Sequence, residues 1–150
     1  MDQFFGLDAY SVVKTFGMIP HPEGGWYAEM FRSDAPAGER PAVSAIYFLL
    51  RENERSHWHA VDGTEIWLWH AGSPIRLHLS LKGEHPASVM LGMDFEGGQR
   101  PQVVVPEGVW QAAESTGPWS LVSCVVAPAF HFSGFTLAPP DWAPGRGADS

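Results

Sequence analysis

The segment Ser56-His57-Trp58-His59-Ala60-Val61-Asp62-Gly63-Thr64-Glu65 carries the residues of this 150-residue chain best suited to chemistry. His57 and His59 are two apart, a spacing that on a strand sets both imidazoles on one face, close to each other. Asp62-Gly63 is a tight-turn pair, so the chain can reverse and bring Glu65 back beside them. Two imidazoles and a carboxylate converging on one point suit a divalent first-row metal, with positions left for water or substrate. The same groups can also work without a metal, an imidazole moving a proton next to a carbonyl. A plainer reading is two histidines on the outer face of a strand, and the turn leading to Glu65 speaks against it.

Alternation extends the list. Glu65, Trp67 and Trp69 share one strand face, and Ile66, Leu68 and His70 take the other. With Glu65 inward, Trp67 and Trp69 become an aromatic wall, either part of a small-molecule site or plain core. Gln102 and Gln111 are amides in apolar, strand-like surroundings, where a buried amide needs a partner, protein or ligand. Glu23 precedes Gly24-Gly25 and can reach the pocket or stay on a solvated turn. The glycines answer a backbone need, since no Gly-Lys-Ser/Thr follows to make a phosphate loop. Tyr47 offers a ring with a polar handle for a pocket rim or an internal hydrogen bond. Ser44 and His78 rank lower, and His85 and His131 lie near turns, as surface residues do. Cys124, the single cysteine, sits in the apolar run LVSCVVA and reads as an inert buried thiol.

The elements that must hold these residues are mostly strands. One helix is expected at 8–16, where Ala9, Val12, Val13 and Phe16 share a face, Asp8 caps the start and Gly17 the end. His21 to Gly25 reads as a turn. Strand-like runs follow at 26–31, 42–51, 56–60, 65–70, 75–81, 102–106, 109–113, 119–127 and 131–137, most of them separated by Gly, Pro and Asp turn signals. Many short strands at this spacing, with abundant aromatic residues, imply an all-β sandwich or barrel. From Pro139 the chain (PPDWAPGRGADS) is Pro/Gly-rich and is expected to fray, Trp142 being its one candidate anchor.

The length suits one domain. One cysteine makes no internal disulfide, which suits a reducing compartment. The formal charge of −8, from 17 acids against 9 bases, has no basic cluster in it and argues against nucleic acid as a partner. The longest apolar stretch, Ala45 to Leu50, is far short of a membrane-spanning helix, and MDQFFGLDAY has no basic region of a signal peptide. A cytoplasmic protein with no membrane partner is the expectation.

The pattern His57-x-His59, five residues, Glu65, six residues, Gly72 resembles the first motif of the cupin superfamily, with a slightly longer turn than the family's common form. Pro106-Glu107-Gly108-Val109-Trp110-Gln111 resembles the second, except that Gln111 stands where that motif has histidine. Further blocks, Ile19-Pro20-His21-Pro22-Glu23-Gly24-Gly25-Trp26-Tyr27, Glu65-Ile66-Trp67 and Gly98-Gln99-Arg100-Pro101-Gln102, are similar to a small cupin group of unknown function sometimes labelled the fifth cupin family. The resemblance implies a cupin double-stranded β-helix, that is, a jelly-roll barrel with one short N-terminal helix. It spans a domain at 7–138, with 139–150 as a C-terminal tail. It implies a homodimer and a small-molecule pocket with His57, His59 and Glu65 as catalytic residues. Glu23, Tyr47, Trp67, Gln102 and Gln111 would touch substrate. A divalent metal (iron, manganese, nickel or zinc) would be held by His57, His59, Glu65 and Gln111, an amide oxygen being a weaker ligand than imidazole. Three functions stay open: a metal-dependent enzyme on a small polar or carbohydrate-like substrate, a metal-free sugar epimerase or isomerase, and a non-catalytic ligand-binding protein. The dimer is tested by light scattering, which should report twice the 16.5 kDa chain mass; a monomer at micromolar concentration refutes it.

Overall fold

The structure is a computed structural model that describes residues 7–145. Asp8 opens helix α1 (Ala9–Phe16) with a reciprocal cap. Its carboxylate accepts from the Ser11 amide at 2.8 Å, and the Ser11 hydroxyl accepts from the Asp8 amide at 3.2 Å. Gly17, at φ +64°, ends the helix in the left-handed conformation that glycine adopts without strain. The helix falls where the sequence places it.

Among the described residues eleven strands follow: β1 (Ile19–Pro20), β2 (Trp26–Arg32), β3 (Ser44–Arg51), β4 (Arg55–Val61), β5 (Thr64–Gly72), β6 (Ile75–Ser80), β7 (Ala87–Leu91), β8 (Gln102–Val105), β9 (Trp110–Ser115), β10 (Trp119–Ala127) and β11 (Phe135–Leu137). They form two sheets, in the orders β1-β2-β3-β10-β5-β8 and β11-β4-β9-β6-β7, with every strand pair antiparallel. This is the expected all-β jelly-roll barrel. Strands β1 and β7 were not expected; β7, Ala-Ser-Val-Met-Leu, has a weak β pattern and gains its place by pairing with β6. Only the last three residues of the expected strand at 131–137 pair; Phe132–Gly134 is a 3-10 turn.

The main core lies between the sheets, where Phe48, Leu50, Trp67, Val122 and Cys124 meet Ile75, Leu77, Leu91 and Ala113. A second cluster lies on the outer face of the larger sheet, where Val12, Met18, Leu49, Trp119 and Leu121 pack beneath α1. Strand β3 is therefore apolar on both faces, which explains why Ala45 to Leu50 is an unbroken apolar run. The outer face of the smaller sheet is partly covered by the C-terminal segment. Trp142 lies 4.8 Å from the Trp110 ring and 6.1 Å from Trp58, and the Gly145 amide donates to Gly83 O at 2.9 Å. Residues 139–145 thus pack, where fraying was expected, because three indoles bury one another; residues 146–150 lie outside the described residues. Among the described residues no helix is long and apolar enough to cross a membrane.

One loop is pinned unusually closely. The His21 amide donates to Gly25 O at 2.9 Å, the Gly24 amide to His21 O at 3.0 Å, and the His57 amide to Glu23 O at 2.7 Å. Gly24 has φ +112°, and a Cβ there would overlap the Arg55 carbonyl. Gly25 has φ +75°, with Leu49 O only 2.7 Å from a would-be Cβ. Gly24→Ala should therefore cost about 2 kcal/mol or more of unfolding free energy and shift the Glu23 backbone. Urea denaturation checks the first effect and amide chemical shifts the second; an unchanged midpoint would mean the loop is not docked.

Candidate functional site

At one end of the barrel a cavity of about 70 Å³ opens between the sheets. Its polar walls come from β2, β4, β5 and the glycine loop. Strand β4 reaches it through a bulge. Against β9, Ser56 faces Ala113 and His59 faces Gln111, so that His57 and Trp58 together oppose a single residue, Ala112. The irregularity turns Ser56 and His59 inward, at 0% and 1% exposure. It turns His57 out of the barrel, where its Nε2 lies 2.8 Å from Pro139 O. The expectation that both histidines share a face is corrected for that reason: the bulge adds one residue between them and breaks the alternation.

His59 Nδ1 donates to His57 O at 2.7 Å. A carbonyl can only accept, so the neutral ring keeps its lone pair on Nε2. That nitrogen lies 3.5 Å from Glu23 Oε2. Burial holds the His59 pKa below the usual histidine value, while the charge of Glu65 works against that shift. Glu23 arrives from the glycine loop and accepts from the Ser56 hydroxyl. Burial raises its carboxyl from 4.5 to about 8, against the lowering effect of Ser56. Near neutrality the pair is thus an uncharged imidazole facing a protonated carboxyl.

Glu65 completes the group. Its Oε1 accepts from Gln111 Nε2 at 2.9 Å, and Gln111 Oε1 accepts from Trp67 Nε1 at 2.8 Å. Because an indole only donates, the chain Trp67→Gln111→Glu65 has one direction. Burial raises Glu65 from 4.5 to about 7; His59 and the Gln111 hydrogen bond oppose this, and the Glu23 charge adds to it. Cys124 also touches Glu65, and burial raises its thiol well above the usual value.

Of the residues picked from sequence, Glu23, His59 and Glu65 line the cavity, and Gln111 and Trp67 stand behind Glu65. Three do not join them. His57 is outside. Tyr47 lies on the far face of its sheet, 4.5 Å from the Phe16 ring of α1, because Phe48 and not its neighbour takes the inner face. Gln102 is exposed on β8, where Val103 packs against the core and Val105 is buried in it. The four-residue metal set is not assembled: His57 points away and the Gln111 oxygen is occupied by an indole. Among the described residues no three His, Cys, Asp or Glu side chains gather as metal ligands.

Other residues lining the cavity carry no comparable motif. His21 accepts from the Glu23 amide on Nδ1 at 3.1 Å and packs 4.6 Å from the Tyr27 ring. Burial, with His59 nearby, lowers its pKa to about 4. Ser56, Glu29 and Arg32 also belong to the site. A turn containing both His21 and Glu23 was the one available signal for His21. Cys124, read as an inert core thiol, is buried but also reaches the cavity wall.

Comparison with known proteins agrees with the resemblance read from the sequence. Residues 10–138 match the family described as Cupin superfamily (DUF985). No curated protein matches the chain. Among solved structures, a hypothetical protein from Leishmania major is 32% identical, with a TM-score of 0.80, covering 88% of each chain. A protein from Shewanella oneidensis is 34% identical, with a TM-score of 0.84, covering 88% of this chain and 85% of its own. Oxalate decarboxylase from Bacillus subtilis is 11% identical, with a TM-score of 0.60 over 79% of this chain and 29% of its own, a likeness of fold.

The raised carboxyls set a pH dependence. Glu23 and Glu65 hold protons in the folded state up to about 8 and about 7, whereas the unfolded chain releases them near 4.5. The folded state then binds more protons, so stability falls as pH rises through this range. His21, lowered from 6.5 to about 4, acts oppositely but only below 6.5. His59, also lowered from 6.5, acts in the same sense as His21, so between 6.5 and about 8 the effect of the carboxyls dominates. Unfolding free energy should decline there, and Glu23→Gln should flatten the decline; urea titrations at a series of pH values check both. A stability that rises across this window would contradict the buried carboxyl assignment.

Proposed function

The chain belongs to the Cupin superfamily (DUF985), and on that premise we propose that its cavity binds a small polar carbonyl or hydroxy compound and moves protons on it, as an isomerase or epimerase does. One observation carries the reading: the unprotonated His59 Nε2 and the Glu23 carboxyl face each other at 3.5 Å inside a buried cavity. A base and an acid side by side on the wall of one small cavity, each able to reach a different atom of a bound substrate, are what a carbonyl–enediol exchange uses.

In the forward step His59 Nε2 takes a proton from the carbon next to the substrate carbonyl, and Glu23 gives its proton to the carbonyl oxygen. The C–H electron pair becomes the enediol double bond, and the carbonyl pair becomes the O–H bond. Return of the imidazolium proton to the neighbouring carbon, with the Glu23 carboxylate taking the hydroxyl proton from the carbon first deprotonated, completes an isomerisation; return to the original carbon on its other face, with Glu23 recovering the proton it gave, completes an epimerisation. The carboxylate of Glu65 favours the imidazolium, as its effect on His59 already does in the free protein. Gln111 and Trp67 hold Glu65 in place for that role. The pocket's ends do not need His57, Tyr47 or Gln102.

A metal-dependent reading would need donors from His57 and Gln111 that are engaged elsewhere, so analysis of the purified protein for iron, manganese, nickel and zinc should find no stoichiometric ion. The proposed assembly is the homodimer, in which a second copy would cover exposed Ile19, Met30 and Phe31 of the β1–β2 edge.

Deuterium exchange tests the chemistry without a known substrate. Small aldoses and ketoses incubated with the protein in D₂O should gain deuterium on the carbon next to the carbonyl, followed by proton NMR. His59→Ala and Glu23→Gln should each lower the rate by about 100-fold or more. Binding of a sugar with no exchange would mean a ligand-binding protein, and exchange unaffected by both variants would place the chemistry elsewhere.

A further inference from the structure

Strand β2 carries a second bulge, and it decides what the cavity mouth presents. Against β3, Glu29 faces Ile46, Phe31 faces Ala45 and Arg32 faces Ser44, so Met30 and Phe31 together oppose one residue. A regular strand would alternate from Glu29 to Phe31 inward and leave Arg32 outward. The bulge reverses this. Met30 and Phe31 are 55% exposed, and Arg32 joins Glu29, Ile46 and Ser44 on the cavity wall. Setting a guanidinium rather than a phenylalanine at the cavity mouth gives up apolar burial within the chain. It makes sense if the guanidinium has something to hold.

Among the described residues lining the cavity, Arg32 is the only Lys or Arg; the other titratable groups include the carboxyls of Glu23, Glu29 and Glu65. Its Nε donates to Glu29 Oε1 at 2.6 Å. Among the described residues its two terminal nitrogens have no hydrogen-bond partner, which leaves a free fork of the kind that matches a carboxylate or a phosphate. In a chain of net charge −8, this guanidinium is the one fixed positive charge that the cavity lining offers to an anion.

We propose that Arg32 recognises an anionic group on the substrate, a carboxylate or a phosphate, and that Glu29 is the internal counter-ion which the ligand displaces. The substrate is then a small acidic hydroxy or carbonyl compound, its anion seated at the mouth and its reacting end toward His59 and Glu23. This rests on the cavity being a substrate site, and it adds the substrate's charge to that reading.

The test uses three probes on the full-length protein, glycolate, inorganic phosphate and the neutral glycolamide, with binding followed by NMR shifts of the His59 ring and of the Arg32 guanidinium. Glycolate or phosphate should bind and glycolamide more weakly, the tighter of the two anions identifying the group. Arg32→Gln should raise the anion Kd about tenfold or more and leave the glycolamide response unchanged. Glu29→Gln should lower the anion Kd, since the competing carboxylate is gone; a merely structural ion pair would not give opposite effects from its two ends. Both side chains are well exposed, at 39% and 40%, so both variants should keep the fold. If His59 responds equally to the charged and neutral probes, or if Arg32→Gln leaves the anion Kd unchanged, the Arg32 proposal fails while the cavity stands. If His59 responds to none of the three, the cavity is not the substrate site and the proposal fails with it.

Discussion

Two carboxyl groups, Glu23 and Glu65, are buried inside the barrel beside a largely apolar core, and much of the site's architecture answers to that fact. An ionised carboxylate without a partner in such a place would cost several kcal/mol. Among the described residues no Lys or Arg is buried beside them to neutralise the charge; Arg32 stays at the mouth. The structure resolves the cost in the other available way, through protonation and hydrogen bonding. Ser56 bonds Glu23, Gln111 bonds Glu65, and Trp67 fixes the direction of Gln111. The same desolvation that raises the carboxyls keeps His21 and His59 neutral. One physical cause thus produces an acid, a base and a group poised between, which is why a stability problem and a chemical capability coincide at this place.

Positioning depends on departures from regular strands. The β4 bulge brings Ser56 and His59 to the same face and sends His57 out; the β2 bulge sends Phe31 out and brings Arg32 in. The glycine loop depends on close backbone approach, since neither Gly24 nor Gly25 could carry a side chain against Arg55 and Leu49. Around these irregular parts the scaffold is conventional. Helix α1 covers one sheet, Trp142 covers part of the other, and the core between them is packed with aliphatic and aromatic side chains. Irregular positions set in a rigid frame are where a β-barrel can hold polar groups that alternation alone would not bring together.

Much of this was legible from the residues. The apolar spacing, cap and stop of α1, the turn signals between strands and the unbroken run at Ala45–Leu50 determined an all-β barrel with one helix, because periodicity and turn chemistry are local. The ordered blocks around His57-x-His59, Glu65 and Pro106-x-Gly108 determined the family. Glu65 facing inward with Trp67 followed from simple alternation. Tertiary structure decided the rest. A bulge is set by how one strand meets its partner, so no pattern within 55–61 could say that His57 leaves and His59 stays. Which face of β3 meets α1 is a packing outcome, and it removed Tyr47 from the pocket. His21 and Arg32 lie far from Glu65 in sequence; only the closure of two sheets over them makes one site. The protonation states, too, belong to the folded molecule alone, since the same carboxyls in an open chain would ionise near 4.5, and burial is what moves them.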